Sequence, residues 1–444
     1  MKNNLRGKLG VAIATLGLLS AFAVTTAGAS ATLTGDLTFA ASDGAASLNP
    51  AMGGSSFDEP FFNAAIPVYM SEAAKVSGAN APSAISLYSP TGSTAGKKGV
   101  VAGTYAVGAS DVPMGTVVNG TNLDSSILTN TNAASTLNSY VQVPVVLGGV
   151  GMMYNLPSLN AKFKKDPVVL NSTVLADIYD GSITKWNNPQ ICHLNPKIVK
   201  LTKNKKGRII RRTCELPNIP VVPVYRADGS GTSFIFMNYL NATAGANFKT
   251  STGTEVYPNT TFNEGEVPSN ALGGQKNAGV AADVEQTVGG IGYVEYSYIL
   301  LQHTLPSALI VNAKGQDVAV NPTTVAADAS SFAATPPSES SAGVVSNFSI
   351  VNGTGSGDYP IAGYSWAILR QDWNGLGTVG GVSASLNSEK LVAKFLDWCV
   401  QLGSQGGQTV AQQQGYVPLP AYVSALAESQ VASLRYNGQP LGLS

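Results

Sequence analysis

The sequence predicts an α/β protein built from more than one packed lobe, and three observations carry that expectation. At 444 residues the chain is too long for a single small core and argues for two or three packed units. β-branched runs alternate with helix-period runs, and Gly, Pro, Ser and Asn punctuate the connections, as in α/β folds. Charged residues are only 12% while hydrophobic residues reach 44%, so the chain has material for cores and is no disordered polyelectrolyte. Two histidines leave little for a His-built zinc site or a His-based catalytic triad. Equal numbers of basic and acidic residues, 26 of each, argue against a general nucleic-acid binder.

The N-terminus reads as an export signal over residues 1–31. Lys2, Arg6 and Lys8 precede an apolar run from Gly10 to Val24, and Ala29-Ser30-Ala31 supplies a small-x-small cleavage pattern. An uncleaved anchor is the alternative, but the run is short for spanning a bilayer. No later run reaches about 20 apolar residues, and no Cys follows the signal to carry a lipid. The expected location is therefore exported: periplasmic, or in the cell envelope or medium.

Next come three short segments that each pair an apolar run with hydroxyls or a carboxylate. Gly53-Gly-Ser-Ser56-Phe57-Asp-Glu-Pro60 should open a helix, Pro90-Thr-Gly-Ser93-Thr-Ala-Gly96 reads as a hydroxyl-rich turn, and Val107-Gly-Ala-Ser-Asp111 ends an apolar run on one carboxylate. The run Gly92 to Lys98 imitates a nucleotide-binding loop. It is one residue short before its Gly-Lys pair and lacks the following Ser or Thr, so ATP binding is rejected.

Cys192 and Cys214 bracket a segment with eight basic residues (Lys197, Lys200, Lys203, Lys205, Lys206, Arg208, Arg211, Arg212) and no acidic one. Two apolar/basic runs flank a turn-like Asn204-Lys-Lys-Gly207, so strand, turn and strand should bring the two cysteines together as a disulfide. These eight and the three ahead of the apolar run leave 15 basic residues against all 26 acidic ones. The rest of the chain thus carries about 11 net negative charges. The hairpin reads either as a docking patch for an anionic surface or as a solvated edge kept from aggregating by its charge.

The most informative stretch is Val221-Val-Pro-Val-Tyr-Arg226-Ala-Asp228-Gly-Ser230-Gly231-Thr232-Ser233, followed by an apolar helical run from Phe234 to Leu240. A strand, a Gly/Ser loop and a helix start aim backbone N–H groups and a helix dipole at an anion. Arg226 adds a fixed fork of donors suited to a tetrahedral oxyanion, which Asp228 would hold in place. Alone, such a loop reads better as a plain helix cap. Further on, Ala326 to Gly357 is rich in Ser, Ala, Thr, Pro and Gly and reads as a long surface loop. Cys399, within the helix-period run Leu391 to Leu402, reads as a buried small hydrophobe.

Taken together these segments resemble the phosphate-binding protein of bacterial phosphate ABC importers, a type II periplasmic binding protein. The likeness continues through Leu175 to Gln190, Gly273 to Ala282, Gly289 to Tyr296, Tyr359-Pro-Ile361 and Lys394 to Trp398. The resemblance implies two α/β lobes hinged by two crossover strands: 32–143 with 305–444 as lobe 1, and 144–304 as lobe 2 with the basic hairpin, 192–214, as an insert. It places phosphate-binding roles on Ser56, Phe57, Ser93, Asp111, Arg226, Asp228, Ser230, Gly231 and Thr232. Ser56 replaces the family's Thr and keeps the hydroxyl. Ala95 replaces a Gly, which is tolerable only without a positive φ. Gly44-Ala-Ala-Ser47 is a rival alignment for the first loop.

The resemblance further implies a monomer that delivers inorganic phosphate to a membrane permease, with no catalytic residue, cofactor, metal or nucleic acid. A carboxylate facing an anion has a physical reason. Hydrogen phosphate can donate its proton to Asp111, whereas sulfate offers only acceptors. The competing readings are a secreted protein on this scaffold with weak phosphatase activity, and a surface adhesin or phosphate sensor.

Overall fold

A computed structural model describes residues 35–118, 120–128, 137–162, 166–244, 267–302 and 305–443. The expected signal, 1–31, lies outside the described residues. The core is one mixed sheet of eight strands, numbered here in chain order: β1 (Met52–Gly54), β2 (Ser89–Pro90), β3 (Val107–Ser110), β4 (Tyr140–Tyr154), β5 (Val222–Arg226), β6 (Leu272–Gly274), β7 (Gly290–Glu295) and β8 (Ala362–Arg370). Their spatial order is β6-β5-β7-β4-β8-β3-β1-β2. Parallel pairs lie at both ends of the sheet, and antiparallel pairs join them through the middle.

β4 is what makes two lobes out of one sheet. Residues Tyr140 to Gly149 pair with β8, while Val150 to Tyr154 pair with β7, so the strand starts in one lobe and ends in the other. All 15 of its residues are buried, which is why it reads as a continuous apolar run and not as an alternating one. Pro144 has no N–H to give the ladder, and the register against β8 shifts beside it, between Ser365 and Trp366. The carbonyl of Val145, left over at this bulge, accepts from Gln408 Nε2 at 2.9 Å. The chain comes back alongside β4: Tyr154 N–H donates to the Pro306 carbonyl at 3.1 Å and Ala308 N–H to the Met152 carbonyl at 2.8 Å. These two crossings form the hinge.

Helices cover both faces of the sheet. In the first lobe α1 (Glu59–Ser77) lies against helix Leu386–Val400, with the Tyr69 ring 5.2 Å from Phe395 and 5.4 Å from Trp398. In that contact Cys399 is fully buried, and burial pushes its thiol well above the ordinary range. In the second lobe Phe236 stacks on Tyr293 at 4.7 Å. The Tyr293 hydroxyl accepts from the Arg226 N–H at 3.0 Å, so packing of this lobe fixes the backbone at the end of β5.

Three sequence expectations need correction. The Pro90–Gly96 segment is not a turn throughout, because helix α2 (Ser93–Ala102) begins at Ser93; Ala95 is therefore helical and needs no positive φ. The stretch from Ala326 to Gly357 is not a bare loop. Helix Pro322–Ser331 enters it, buried Asp328 accepts from Gly353 N–H at 2.8 Å, and Ser338–Glu339 pairs with Val345–Ser346. The disulfide Cys192–Cys214 is present, with its Cα atoms 5.8 Å apart. Cys192, however, comes from helix Pro189–Leu194 and not from a strand. The hairpin itself is Val199–Lys203 with Ile209–Cys214, turned at Asn204, whose side chain accepts from the N–H groups of Lys206 and Arg208.

Candidate anion-binding site

Four site segments share one local plan: a sheet strand ends, the chain turns, and a helix begins. β1 leads through Ser55–Asp58 into α1, and β2 leads through Thr91–Gly92 into α2. In the other lobe β5 leads through Ala227–Ser230 into α3 (Gly231–Thr243), and β6 leads through Gln275 into α4 (Lys276–Gln286). Four helix N-termini therefore face a common region between the lobes, each presenting N–H groups and the positive end of its dipole. β3 ends instead on Asp111.

The lobes touch through these segments. Gly231 N–H donates to Ser93 Oγ at 2.9 Å, and Asn277 donates to Ser56 Oγ from its N–H at 3.0 Å and from Nδ2 at 3.1 Å. Thr232 Oγ1 lies 3.3 Å from Asp111 Oδ2. The approach requires glycine at two positions. A Cβ on Gly231 would lie 2.5 Å from Asp111 Cβ, and one on Gly92, whose φ is +98°, would lie 2.7 Å from Asp228 Oδ2.

Arg226 is 1% exposed, and a buried guanidinium is tolerable only when paired. Asp228 provides the pair in the forked arrangement, Nε to Oδ1 at 2.7 Å and Nη2 to Oδ2 at 2.5 Å. The third nitrogen, Nη1, faces Thr232 Oγ1 at 3.4 Å. Burial alone would raise the Asp228 carboxyl. The hydrogen bonds and charge of Arg226, with the Lys276 N–H at 2.9 Å, outweigh it and hold the group below its usual range. Lys276 adopts a φ of 63° to aim that N–H, a conformation that side-chain-bearing residues rarely take. Ser230 is the N-cap of α3, its Oγ accepting from Ser233 N–H at 3.1 Å.

Asp111 belongs to a chain of buried groups that sequence reading did not find. The Ser365 hydroxyl lies 2.7 Å from Asp111 Oδ1 and 2.7 Å from Asp58 Oδ2. A hydroxyl has one hydrogen, so the second of these contacts needs a proton on a carboxyl. Burial, then the charge of Asp111, push the Asp58 carboxyl well above the ordinary range, the direction that favours a proton there. Glu295, at the end of β7, is fully buried, and burial pushes it up to about 8 despite its bonds from Ser297. Its N–H donates to Asn277 Oδ1 at 3.2 Å and so orients that amide.

The structure brings together all nine residues expected from the sequence. Ser56, Ser93, Asp111, Arg226, Ser230, Gly231 and Thr232 are buried, and Asp228 is half-buried. The Phe57 ring is turned into the core 6.1 Å from Tyr416, while its N–H donates to Ser55 Oγ at 3.0 Å and its carbonyl accepts from the Tyr416 hydroxyl. The rival Ser47 is exposed and donates to the Gly44 carbonyl instead. Lys97, the imitation nucleotide-loop lysine, is buried with its Nζ 2.7 Å from Asp124 Oδ1. Asn277, Ser365, Asp58 and Glu295 were missed. Their only local signals are a serine inside the apolar strand Ala362–Arg370 and the Gly-rich run before Asn277.

Comparison with known proteins identifies the family. A family model described as the PBP superfamily domain matches residues 40–401. The phosphate-binding protein PstS of Haemophilus influenzae is 31% identical over 77% of this chain and 83% of its own length. That of Xylella fastidiosa is 30% identical over 78% and 77% respectively. Among solved structures, a high-affinity periplasmic phosphate-binding protein, PfluDING, bound with phosphate superposes with a TM-score of 0.60 at 19% identity, covering 88% of this chain and 99% of that one. A phosphate-binding protein from Stenotrophomonas maltophilia gives 0.56 at 20% identity, covering 86% and 93%. These two share the two-lobed type II periplasmic-binding-protein fold. By the extent of the family match and the identity to its curated relatives, the chain belongs to the phosphate-binding protein PstS family of the PBP superfamily.

Proposed function

We propose that the protein captures inorganic phosphate between its lobes outside the cytoplasmic membrane and delivers it to the permease of an ABC importer. The carrying observation is one carboxylate set among donors. Asp111 Oδ2 and Arg226 Nη1 lie 3.3 Å and 3.4 Å from the same Thr232 hydroxyl. Hydrogen phosphate satisfies both sides of such a site, taking hydrogen bonds from Arg226, Thr232, Ser56, Ser93 and Ser230 and, where it replaces Ser55 and Ser93 as their acceptors, from the N–H groups of Phe57 and Gly231, and donating one to Asp111. Sulfate has no proton to donate and meets Asp111 as charge against charge. Asp228 acts through Arg226 by fixing its fork.

The names of the relatives support this reading, and so does the way the site's serines are already engaged. Ser56, Ser93 and Ser230 each accept an N–H, and exposed His193 lies on helix Pro189–Leu194. The N-terminal pattern and the Cys192–Cys214 disulfide support export. The lobe boundaries expected at 143/144 and 304/305 fall within β4, ahead of the point at Gly149/Val150 where its pairing changes, and just ahead of the returning Pro306–Ala308. Calorimetric titration of the phosphate-stripped protein tests the proposal: phosphate should bind tightly and sulfate should give no heat. Absence of phosphate heat would overturn it.

A further inference from the structure

We propose that the disulfide-closed hairpin, Val199–Lys203 with Ile209–Cys214, docks the protein on an anionic lipid bilayer. The inference is independent of what the cleft binds. Residues 200–203 and 205–212 are all exposed, so neither face of this ribbon is covered by the other described residues. Among the described residues, Lys200, Lys203, Lys205, Lys206, Arg208, Arg211 and Arg212 form no ion pair with a carboxylate.

Charge alone would fit many anionic partners, and the apolar side chains select among them. Leu201, Ile209 and Ile210 are 44%, 45% and 64% exposed. Paired residues share a face of a ribbon, so Leu201 opposite Arg212 and Lys203 opposite Ile209 form one apolar pair rimmed by two cations. The register shift between Thr202 and Lys203 leaves Ile210 as the extra residue at the bulge. Lysines that merely blunt an edge strand would account for the charges but not for three exposed aliphatic side chains among them. A bilayer surface accommodates both, with cations at the headgroup phosphates and aliphatic tips at the acyl boundary. The remaining excess of acidic residues repels the same surface and leaves the ribbon as the point of contact.

The test is co-sedimentation of the processed protein with vesicles of phosphatidylcholine alone or mixed with phosphatidylglycerol, at about 0.1 M and about 1 M salt. Binding is expected only to the phosphatidylglycerol vesicles and only at low salt. At roughly fivefold per cation, the triple variant K203Q/R211Q/R212Q should lower partitioning by about a hundredfold. L201S/I209S/I210S should lower it about tenfold or more at unchanged charge. All six positions are exposed, and melting curves check that each variant folds. Equal binding to both vesicle types, binding to neither, or retention of binding in the glutamine variant would overturn the proposal. So would a serine variant that binds like the parent, or a parent that binds soluble polyphosphate and no vesicle, since the surface would then serve an anionic polymer. The salt comparison needs no variant and stands even if one fails to fold.

Discussion

Replacing Gly231 by Ala should separate closure of the lobes from stability of the fold. The new Cβ would lie 2.5 Å from Asp111 Cβ and 2.7 Å from its Oδ2, whereas carbon contacts are comfortable at about 3.5 to 4.0 Å. The lobes must therefore part by about 1 Å. That lengthens the 2.9 Å bond from Gly231 N–H to Ser93 and the 3.3 Å contact from Thr232 to Asp111 beyond hydrogen-bonding range. Two such bonds contribute about 0.5 to 1.5 kcal/mol each. With the loosening of a ligand held by both lobes, the loss is on the order of 3 kcal/mol, or roughly a hundredfold in Kd. In a ligand-free protein whose lobes stand apart the two bonds are not made; Gly231 does not occupy the left-handed region and begins a helix, so alanine should leave that open form as stable or up to about 1 kcal/mol more stable. The assay is phosphate titration together with melting curves in the absence of phosphate. Unchanged affinity would refute closure through these residues. A ligand-free protein that melts earlier would refute the claim that the glycine serves approach and not folding.

Other consequences concern the groups behind the site. Ser365→Ala removes the hydroxyl shared by Asp58 and Asp111 and should destabilise the ligand-free protein by about 1 to 3 kcal/mol while weakening phosphate binding; an unchanged melt would contradict the shared-proton arrangement. Arg226→Lys cannot reproduce the forked pair with Asp228 and should cost at least about tenfold in phosphate affinity, read by the same titration. Glu295 sits near 8 in the folded protein against an ordinary 4.5. Its contribution to stability is thus fully present below about 4.5 and lost as the pH rises through about 8, because the folded state holds the extra proton. Melting temperature should accordingly fall between those values in the parent, and Glu295→Gln should flatten the fall; an identical slope in both would count against the buried, protonated Glu295.

What the sequence made legible was local. The strand, loop and helix around Arg226 to Thr232 occupy consecutive positions, so their roles follow from order alone, and the basic hairpin announced itself by charge. The partners that complete the site come from far away in the chain: Ser365 reaches Asp111 across 254 positions, and Asn277 reaches Ser56 across 221. No short-range pattern encodes such meetings. Asp58 was in view beside Phe57, but its raised carboxyl depends on burial and on the charge of Asp111. Composition misled for Ala326 to Gly357, where a helix end and a short, largely exposed hairpin form because buried Asp328 and its Gly353 contact tie the segment down.

The central claim, that Asp111 selects a protonated anion, is tested most directly by titrating the parent and Asp111→Asn with phosphate and with sulfate. The parent should bind phosphate and ignore sulfate. The asparagine variant should lose roughly ten- to a hundredfold in phosphate affinity, the worth of one charge-assisted hydrogen bond, and gain measurable sulfate binding as the repulsion is removed. A variant that still rejects sulfate would place selectivity elsewhere and contradict the account.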